Sequence, residues 1–416
     1  FPADSEIARE VFEALKFNKN YRLLAGTSVE LSKATFFDYE EVIKIPFINS
    51  INFLANFDDI ISKNDIDLVF PCHDDVSLLL AKSHSDITIT HSYEINAICR
   101  SKKNTYSFLS NLNITPIIDP VLFPKFVKPD KGNGSKGIRK IKEQGDLGNY
   151  LYTHSLEESV ITEYLPGEEV TVDCFSLHGN LLFHGPRVRY SSKGGISDLG
   201  FAINDVTIEA MASSINNKFL ELGGFNGAWF FQVKKNSNGE FKLLEIGPRV
   251  SGGMAFYRNL GINFEELSIL SKSNIETLEI KKLDIENFTF AKFFTPRYTY
   301  TPIEYSNLYV DFDDTLYLHK SKTINTNLIK LLFQAIAEGK KIYLLTKSSN
   351  DFEDILRRYR LLNLWDKIIH INQNDKKSFF MKEYSVLIDD SFSERNFKSP
   401  NIWCFDTHNF NILINN

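Results

Sequence analysis

Residues 227–253 read GAWFFQVKKNSNGEFKLLEIGPRVSGG, two apolar runs separated by a polar tip from Asn236 to Glu240. The runs read as strands and the Asn/Ser/Gly tip as the turn of a hairpin. Gln232 in FFQVK and Glu245 in LLEIG stand 13 residues apart across that tip. An amide oxygen and a carboxylate so placed can face one magnesium ion. Toward the N-terminus, Ile161–Glu169 (ITEYLPGEE) reads as a strand running into a turn, able to offer backbone groups to a base and a carboxylate to a ribose. Earlier still, strands at Lys125–Pro129 and Ile138–Ile141 flank Lys131–Gly137, KGNGSKG. Its glycines lack the Cβ that would keep backbone N–H groups from phosphate oxygens, and Lys128 ends the strand that points at it. A Gly/Ser/Asn loop alone is usually just a hairpin turn, and a lone polar residue on a strand is usually solvated. The joint order carries the reading of a nucleoside triphosphate site.

Residues 307–316, NLYVDFDDTL, form an apolar strand ending in Asp311-Phe312-Asp313-Asp314-Thr315. Alternate residues of an extended chain diverge, so a turn after Asp311 is needed to bring two carboxylates together. A second strand, Lys341–Leu345, ends in Thr346; Lys376 and Lys377 open a later helix; and Val386–Ile388 ends in Asp389-Asp390. Helices are expected around Asn327–Glu338 and Phe352–Tyr359. Strand ends in an open α/β sheet deliver ligand-binding groups to one place, and crowded carboxylates imply a cation, here magnesium.

Upstream of the glycine loop the chain alternates helix and strand: a helix over Glu6–Leu15, strands at Tyr21–Ala25, Asp67–Pro71 and Ile87–Thr90, and a helix through Val76–Lys82. The opening strand of this unit is expected before Phe1, and a first residue other than Met leads us to expect preceding native residues. Residues 295–305, TPRYTYTPIEY, show no period and read as a linker.

With these motifs in place, residues 1–294 resemble an ATP-grasp enzyme with its Rossmann-like pre-ATP-grasp domain, on SKKNTYSFLSNLNITP (Ser101–Pro116), FVKPDKGNGSKGIRKI (Phe126–Ile141), ITEYLPGEEVTVD (Ile161–Asp173) and the hairpin quoted above. The resemblance implies a multidomain α/β and α+β chain with a pre-ATP-grasp domain at 1–100 and an ATP-grasp domain at 101–294. It puts Lys102, Lys128, Gly134 and Ser135 at the phosphates, Glu163, Tyr164 and Leu165 at adenine, and Glu169 at the ribose. Gln232 and Glu245 become magnesium ligands, Arg249 and Arg187 stabilise phosphoryl or carboxylate charge, and Gly194-Gly195 edges the acceptor site. Where the family reads Glu-x-Asn, this chain has Glu245-Ile246-Gly247, so one metal ligand is missing and weaker metal binding is expected. The implied reaction is ATP-dependent joining of a carboxylate and an amine through an acyl phosphate. The protein's task is positioning and charge neutralisation.

Residues 306–416 resemble a haloacid dehalogenase-like (HAD) phosphatase. That similarity implies Asp311 as nucleophile, Asp313 as general acid and base, and Thr346 and Lys377 on the phosphate, with Lys376 less favoured. Asp389 and Asp390 join Asp311 and Asp313 at magnesium. About 30 residues separate Thr315 from Thr346 and about 30 more reach Lys377, room for a capless, open domain only.

The whole is expected to be a bifunctional enzyme using ATP and Mg²⁺ on small-molecule carboxylate, amine and phosphoester substrates. Two other readings stand beside it: an ATP-grasp kinase acting on a hydroxyl, and a nucleotide-sensing module that regulates the phosphatase. The 416 residues carry 47 Lys plus Arg against 53 Asp plus Glu, a formal charge of −6, which argues against a purely electrostatic nucleic-acid binder. No apolar run approaches the roughly 18 residues of a membrane span. Cys72, Cys99, Cys174 and Cys404 form no C-x-x-C pair, so a reducing, cytoplasmic setting is expected. Cys174 should pack as a small apolar residue. None of the nine histidines shows metal-ligand spacing, and all are expected to be surface or core residues. A homodimer is the assembly left open.

Overall fold

Chain contacts divide the protein into two units, Phe1–Phe294 and Thr295–Asn416. The computed structural model describes residues 1–132, 134, 136–193, 196–273, 275–283, 288–292, 303–348, 352–397, 399–407 and 409–414. Ser135, Gly194, Gly195, His408 and residues 295–302 of the expected linker lie outside the described residues.

The first unit opens with the expected helix Glu6–Leu15, capped by Ser5, whose Oγ accepts the Ala8 N–H at 3.0 Å. It buries Ala8, Phe12 and Leu15 at the helical spacing read in the sequence. Strands β1 (Leu24–Thr27) and β2 (Glu41–Lys44) pair in parallel. The paired register starts at Leu24, three residues later than the expected Tyr21, whose N–H is spent on a turn to Asn18 O. The strands expected at Asp67–Pro71 and Ile87–Thr90 shrink to one parallel bridge, Val69 to Thr88, and Pro71 has no N–H to extend it. Helices Phe53–Lys63, Asp74–Ser83 and Tyr93–Arg100 complete this part.

Beyond it, β3 (Lys125–Pro129), β4 (Arg139–Ile141) and β5 (Ser159–Glu163) form an antiparallel sheet in the order β4-β3-β5. Strands β6 (Glu169–Leu177), β7 (Asn180–Val188), β8 (Ser191–Lys193), β9 (Ile196–Phe201), β10 (Gly227–Lys235), β11 (Phe241–Gly247) and β12 (Thr289–Ala291) make two further sheets, β11-β10-β6-β7 and β12-β9-β8. Alternation along β10 sorts its residues between two cores. Trp229 and Phe231 pack with Val172, Cys174 and the helix Val206–Phe219, while Ala228 and Phe230 pack with Phe175, Met254 and Phe256. Cys174 is fully buried, as expected of a small apolar residue.

The second unit is built on β13 (Asn307–Val310), the hairpin β14 (Tyr317–Leu318) with β15 (Thr323–Ile324), then β16 (Lys341–Thr346), β17 (Lys367–His370), β18 (Ser385–Ile388) and β19 (Ile402–Phe405). The five long strands pair in parallel in the order β17-β16-β13-β18-β19. Strand β13 is buried along its whole length, so its continuous apolar run is what a central parallel strand requires. The order reverses between β13 and β18, which sets their carboxyl ends at a topological switch point. The helices Thr326–Ala337 and Phe352–Arg358 match the expected spans to within a residue or two.

Candidate active sites

In the first unit, two adjoining cavities of about 420 and 670 Å³ collect most of the residues singled out by the motifs. Lys102, Lys128, Gly134, Glu163, Tyr164, Leu165, Glu169, Gln232 and Glu245 all line the smaller one. Lys102, Gly134, Gln232 and Glu245 also line the larger, together with Arg187, Gly247 and Arg249.

Lys128 is 5% exposed, and among the described residues its ammonium donates to the Tyr106 hydroxyl at 2.7 Å and the Leu244 carbonyl at 3.2 Å, both uncharged. Burial, with the Lys102 charge adding to it, pulls the Lys128 pKa down to about 7. A buried cation held by neutral groups suits an incoming anion. Lys102 sits in the first turn of the helix Lys102–Phe108, donating to Gly132 O at 3.0 Å with Glu245 Oε2 at 3.6 Å. Asp130 braces the base of the glycine loop by accepting from Ser101 Oγ and the Lys103 N–H.

Gln232 and Glu245 are direct cross-strand partners at a bulge between β10 and β11, so their oxygens share one face. Glu169 pairs with Arg189 Nη1 at 2.8 Å and Lys234 Nζ at 3.4 Å, and Lys140 lies 3.7 Å from the Tyr164 ring centroid. The Glu163 side chain accepts the Ile117 N–H at 2.9 Å. Gly247 lies opposite Phe230, and a Cβ there would come within 2.2 Å of that ring. The space a third ligand side chain would need is thus filled by an aromatic ring. Arg249 and Arg187 are not free cations: Arg249 pairs with Asp74 at 2.6 Å, and Arg187 grips Asp173 at 2.7 and 3.3 Å. Burial and the Asp74 carboxylate oppose each other on Arg249, and the carboxylate prevails, raising its pKa.

In the second unit the Lys377 ammonium bridges Asp311 at 2.5 Å and Asp389 at 2.6 Å. Oxygens of Asp311, Asp389 and Asp390 lie within 4.8 Å of one another. Burial, with Asp389 adding to it, pushes the Asp311 carboxyl up to about 7. Burial also raises Asp389. For Lys377, burial lowers the pKa but the two carboxylates overcome it, so the net shift is upward. Three crowded carboxylates form a hard-oxygen donor set that suits a divalent cation. Thr346 is fully buried at the end of β16, with its Oγ1 accepting the Ser348 N–H. Lys376 is exposed.

Three expectations change. Asp313 lies outside the carboxylate cluster found among the described residues, because the turn after Asp311 sends it toward the hairpin, where its Oδ1 meets His319 Nε2 at 2.7 Å. His319 is therefore neither a plain surface nor a core histidine, whereas His91 is a core one, its Nδ1 accepting from Asn226 N–H and its Nε2–H donating to Ala228 O. Lys377 enters from a 3₁₀ turn, Lys377–Phe380, rather than an α-helix. Spacing did not single out Tyr106, Arg189, His319 or Glu394. Glu394 accepts Lys347 Nζ at 2.6 Å and the Lys377 N–H at 3.1 Å.

The family model described as "ATP-grasp in the biosynthetic pathway with Ter operon" matches residues 155–288. No curated protein sequence matches the chain. Among solved structures, an L-amino acid ligase from Bacillus licheniformis is similar at 17% identity and TM-score 0.54, covering 66% of this chain and 73% of that one. The biotin carboxylase–β,γ-ATP complex from Campylobacter jejuni is similar at 17% identity and TM-score 0.52, over 66% and 70%. N5-carboxyaminoimidazole synthetase from Staphylococcus aureus complexed with ADP is similar at 16% and 0.53, over 67% and 78%. At these identities the likeness is one of fold, and the first unit carries a mixed α/β ATP-grasp fold.

Proposed function

We propose that the first unit is an ATP-dependent carboxylate–amine ligase and the second a magnesium-dependent HAD-type phosphatase without a cap. In this reading residues 1–100 are the pre-ATP-grasp domain, 101–294 the ATP-grasp domain and 306–416 the phosphatase. The observation that supports the first half is convergence: Lys102, Lys128, Glu169, Gln232 and Glu245, from five elements, line one cavity. Lys102 and Lys128 neutralise phosphate oxygens, Glu163 to Leu165 border the base, and Glu169 takes the ribose hydroxyls. Gln232 and Glu245 would hold Mg²⁺, which supplies charge neutralisation at the transferred phosphoryl. Arg187 and Arg249, each steadied by its own carboxylate, face the acid and amine in the larger cavity. The acid's carboxylate oxygen bonds to the γ-phosphorus as ADP departs, and the amine then displaces phosphate from the acyl carbon.

In the second half Asp311, Asp389 and Asp390 would hold Mg²⁺, which offsets the charge on the phosphoester. Asp311 attacks phosphorus, Asp313 protonates the leaving alcohol and later takes a proton from water, and Thr346 and Lys377 hold the phosphate. The fold shared with a ligase and the matching family model's description as biosynthetic support the first half only. The pairing, in which a phosphorylated acid or amine is joined and then relieved of its phosphate, is motivated by the two motif sets standing in one chain.

The test is a phosphate-release screen of acids, amines and phosphoesters on the unaltered protein, Lys128→Ala and Asp311→Asn. Loss of acceptor-dependent ADP formation in the first variant alone, and of phosphoester hydrolysis in the second alone, is expected. A second reading, a nucleotide-sensing module that regulates the phosphatase, is favoured by Phe230 filling the space beside Gly247. ATP binding without ADP formation across the panel would select it.

A further inference from the structure

Tyr106 lies four residues beyond Lys102 on the helix Lys102–Phe108, hence on the same face. It is 3% exposed, and its hydroxyl sits where three site-bearing elements meet. The hydroxyl donates to the Leu244 carbonyl of β11 at 2.8 Å and accepts from Lys128 Nζ of β3 at 2.7 Å. Leu244 immediately precedes Glu245.

We propose that Tyr106 is a positioning residue of the phosphate site, holding the Lys128 ammonium, the helix that starts at Lys102 and the backbone before Glu245 in one register. This inference rests on the nucleotide reading of the first unit. A tyrosine hydroxyl has a single proton, and here it goes to Leu244 O, so toward Lys128 the oxygen only accepts. Lys128 also reaches Leu244 O, at 3.2 Å. With these two acceptors, its only ones among the described residues, two N–H groups fix the rotation of a tetrahedral ammonium and leave the third for a ligand in the cavity that Lys128 lines. A lysine so tethered has already lost the rotamer freedom that binding would otherwise remove. The Tyr106 ring itself belongs to the apolar core, so the hydroxyl is the part with a role at the site.

The experiment is a double-mutant cycle on Mg-ATP and on tripolyphosphate, read by calorimetry on the full chain. Tyr106→Phe, which keeps the ring and its packing, should weaken both ligands about tenfold, the magnitude of one hydrogen bond to a charged group. In a Lys128→Met background the same substitution should have no further effect. Thermal unfolding without ligand checks the fold, and a Tyr106→Phe protein that does not fold would place the hydroxyl in the scaffold and overturn the proposal. Equal losses with and without Lys128 would overturn it too, while leaving the nucleotide reading intact. Absence of Mg-ATP binding by the unaltered protein would overturn that reading and this inference together.

Discussion

The two sites hold a buried lysine under opposite electrical conditions. Lys128 is met by a hydroxyl and a carbonyl, whereas Lys377 is wedged between two carboxylates. Burial lowers the first lysine to about 7, and the carboxylates raise the second above its ordinary value. The first pocket is thus short of negative charge and the second has carboxylates beyond what its lysine neutralises. An imbalance of this kind indicates what each will take up: an anion in one, a further cation in the other.

Asp311→Asn should cut deepest into this contrast. Phosphate release from a phosphomonoester panel with magnesium is expected to fall at least ~10³-fold, as for loss of a nucleophile, while ATP binding stays unchanged; a parallel loss of both would erase the distinction between the units.

Acid should separate the units next. His91 in the first unit is buried and held neutral, its pKa pulled down to about 4 chiefly by burial. Its folded value lies below the unfolded one, so stability is intact above about 6.5 and is lost as pH falls toward 4. By linkage the loss approaches roughly 3 kcal/mol. Denaturant unfolding from pH 7 to 4 should show it, and His91→Gln should flatten the curve; an unaltered slope in that variant refutes the assignment.

Lys128→Met tests the anion side. ATP affinity should fall about thirtyfold, roughly 2 kcal/mol for one charge-assisted contact, with phosphoester hydrolysis untouched. Calorimetry beside the phosphate assay reads both. Smallest is Gly247→Asn. Restoring the residue type the family resemblance calls for should not tighten Mg²⁺ binding, because the new side chain meets Phe230, and overpacking should cost about 1–2 kcal/mol in thermal unfolding. A gain in Mg²⁺ affinity would show that the ring yields.

How far the sequence foretold this depends on the range of the interaction. Gln232 opposite Glu245, the strands flanking the glycine loop, and Asp311 and Asp389 at the ends of apolar runs were legible, because hairpin spacing and strand period are local. The short pairings near Val69 were overestimated, since ladder length depends on which neighbouring groups remain available. Tyr106 and Glu394 were illegible for another reason. Their partners lie 138 and 47 residues away, and no motif announces a hydroxyl or carboxylate whose role appears only when separate elements meet. Gly247 was read as a missing ligand; that Phe230 fills its place required the register of β10 against β11.

Trp229 is fully buried, stacks on Phe225 with centroids 4.2 Å apart and donates its indole N–H to Ser176 Oγ. The other two tryptophans, Trp365 and Trp403, belong to the second unit. Replacing those two with phenylalanine would leave a single tryptophan, and its emission, excited where the 17 tyrosines do not absorb, would follow the melting of the first unit without any label.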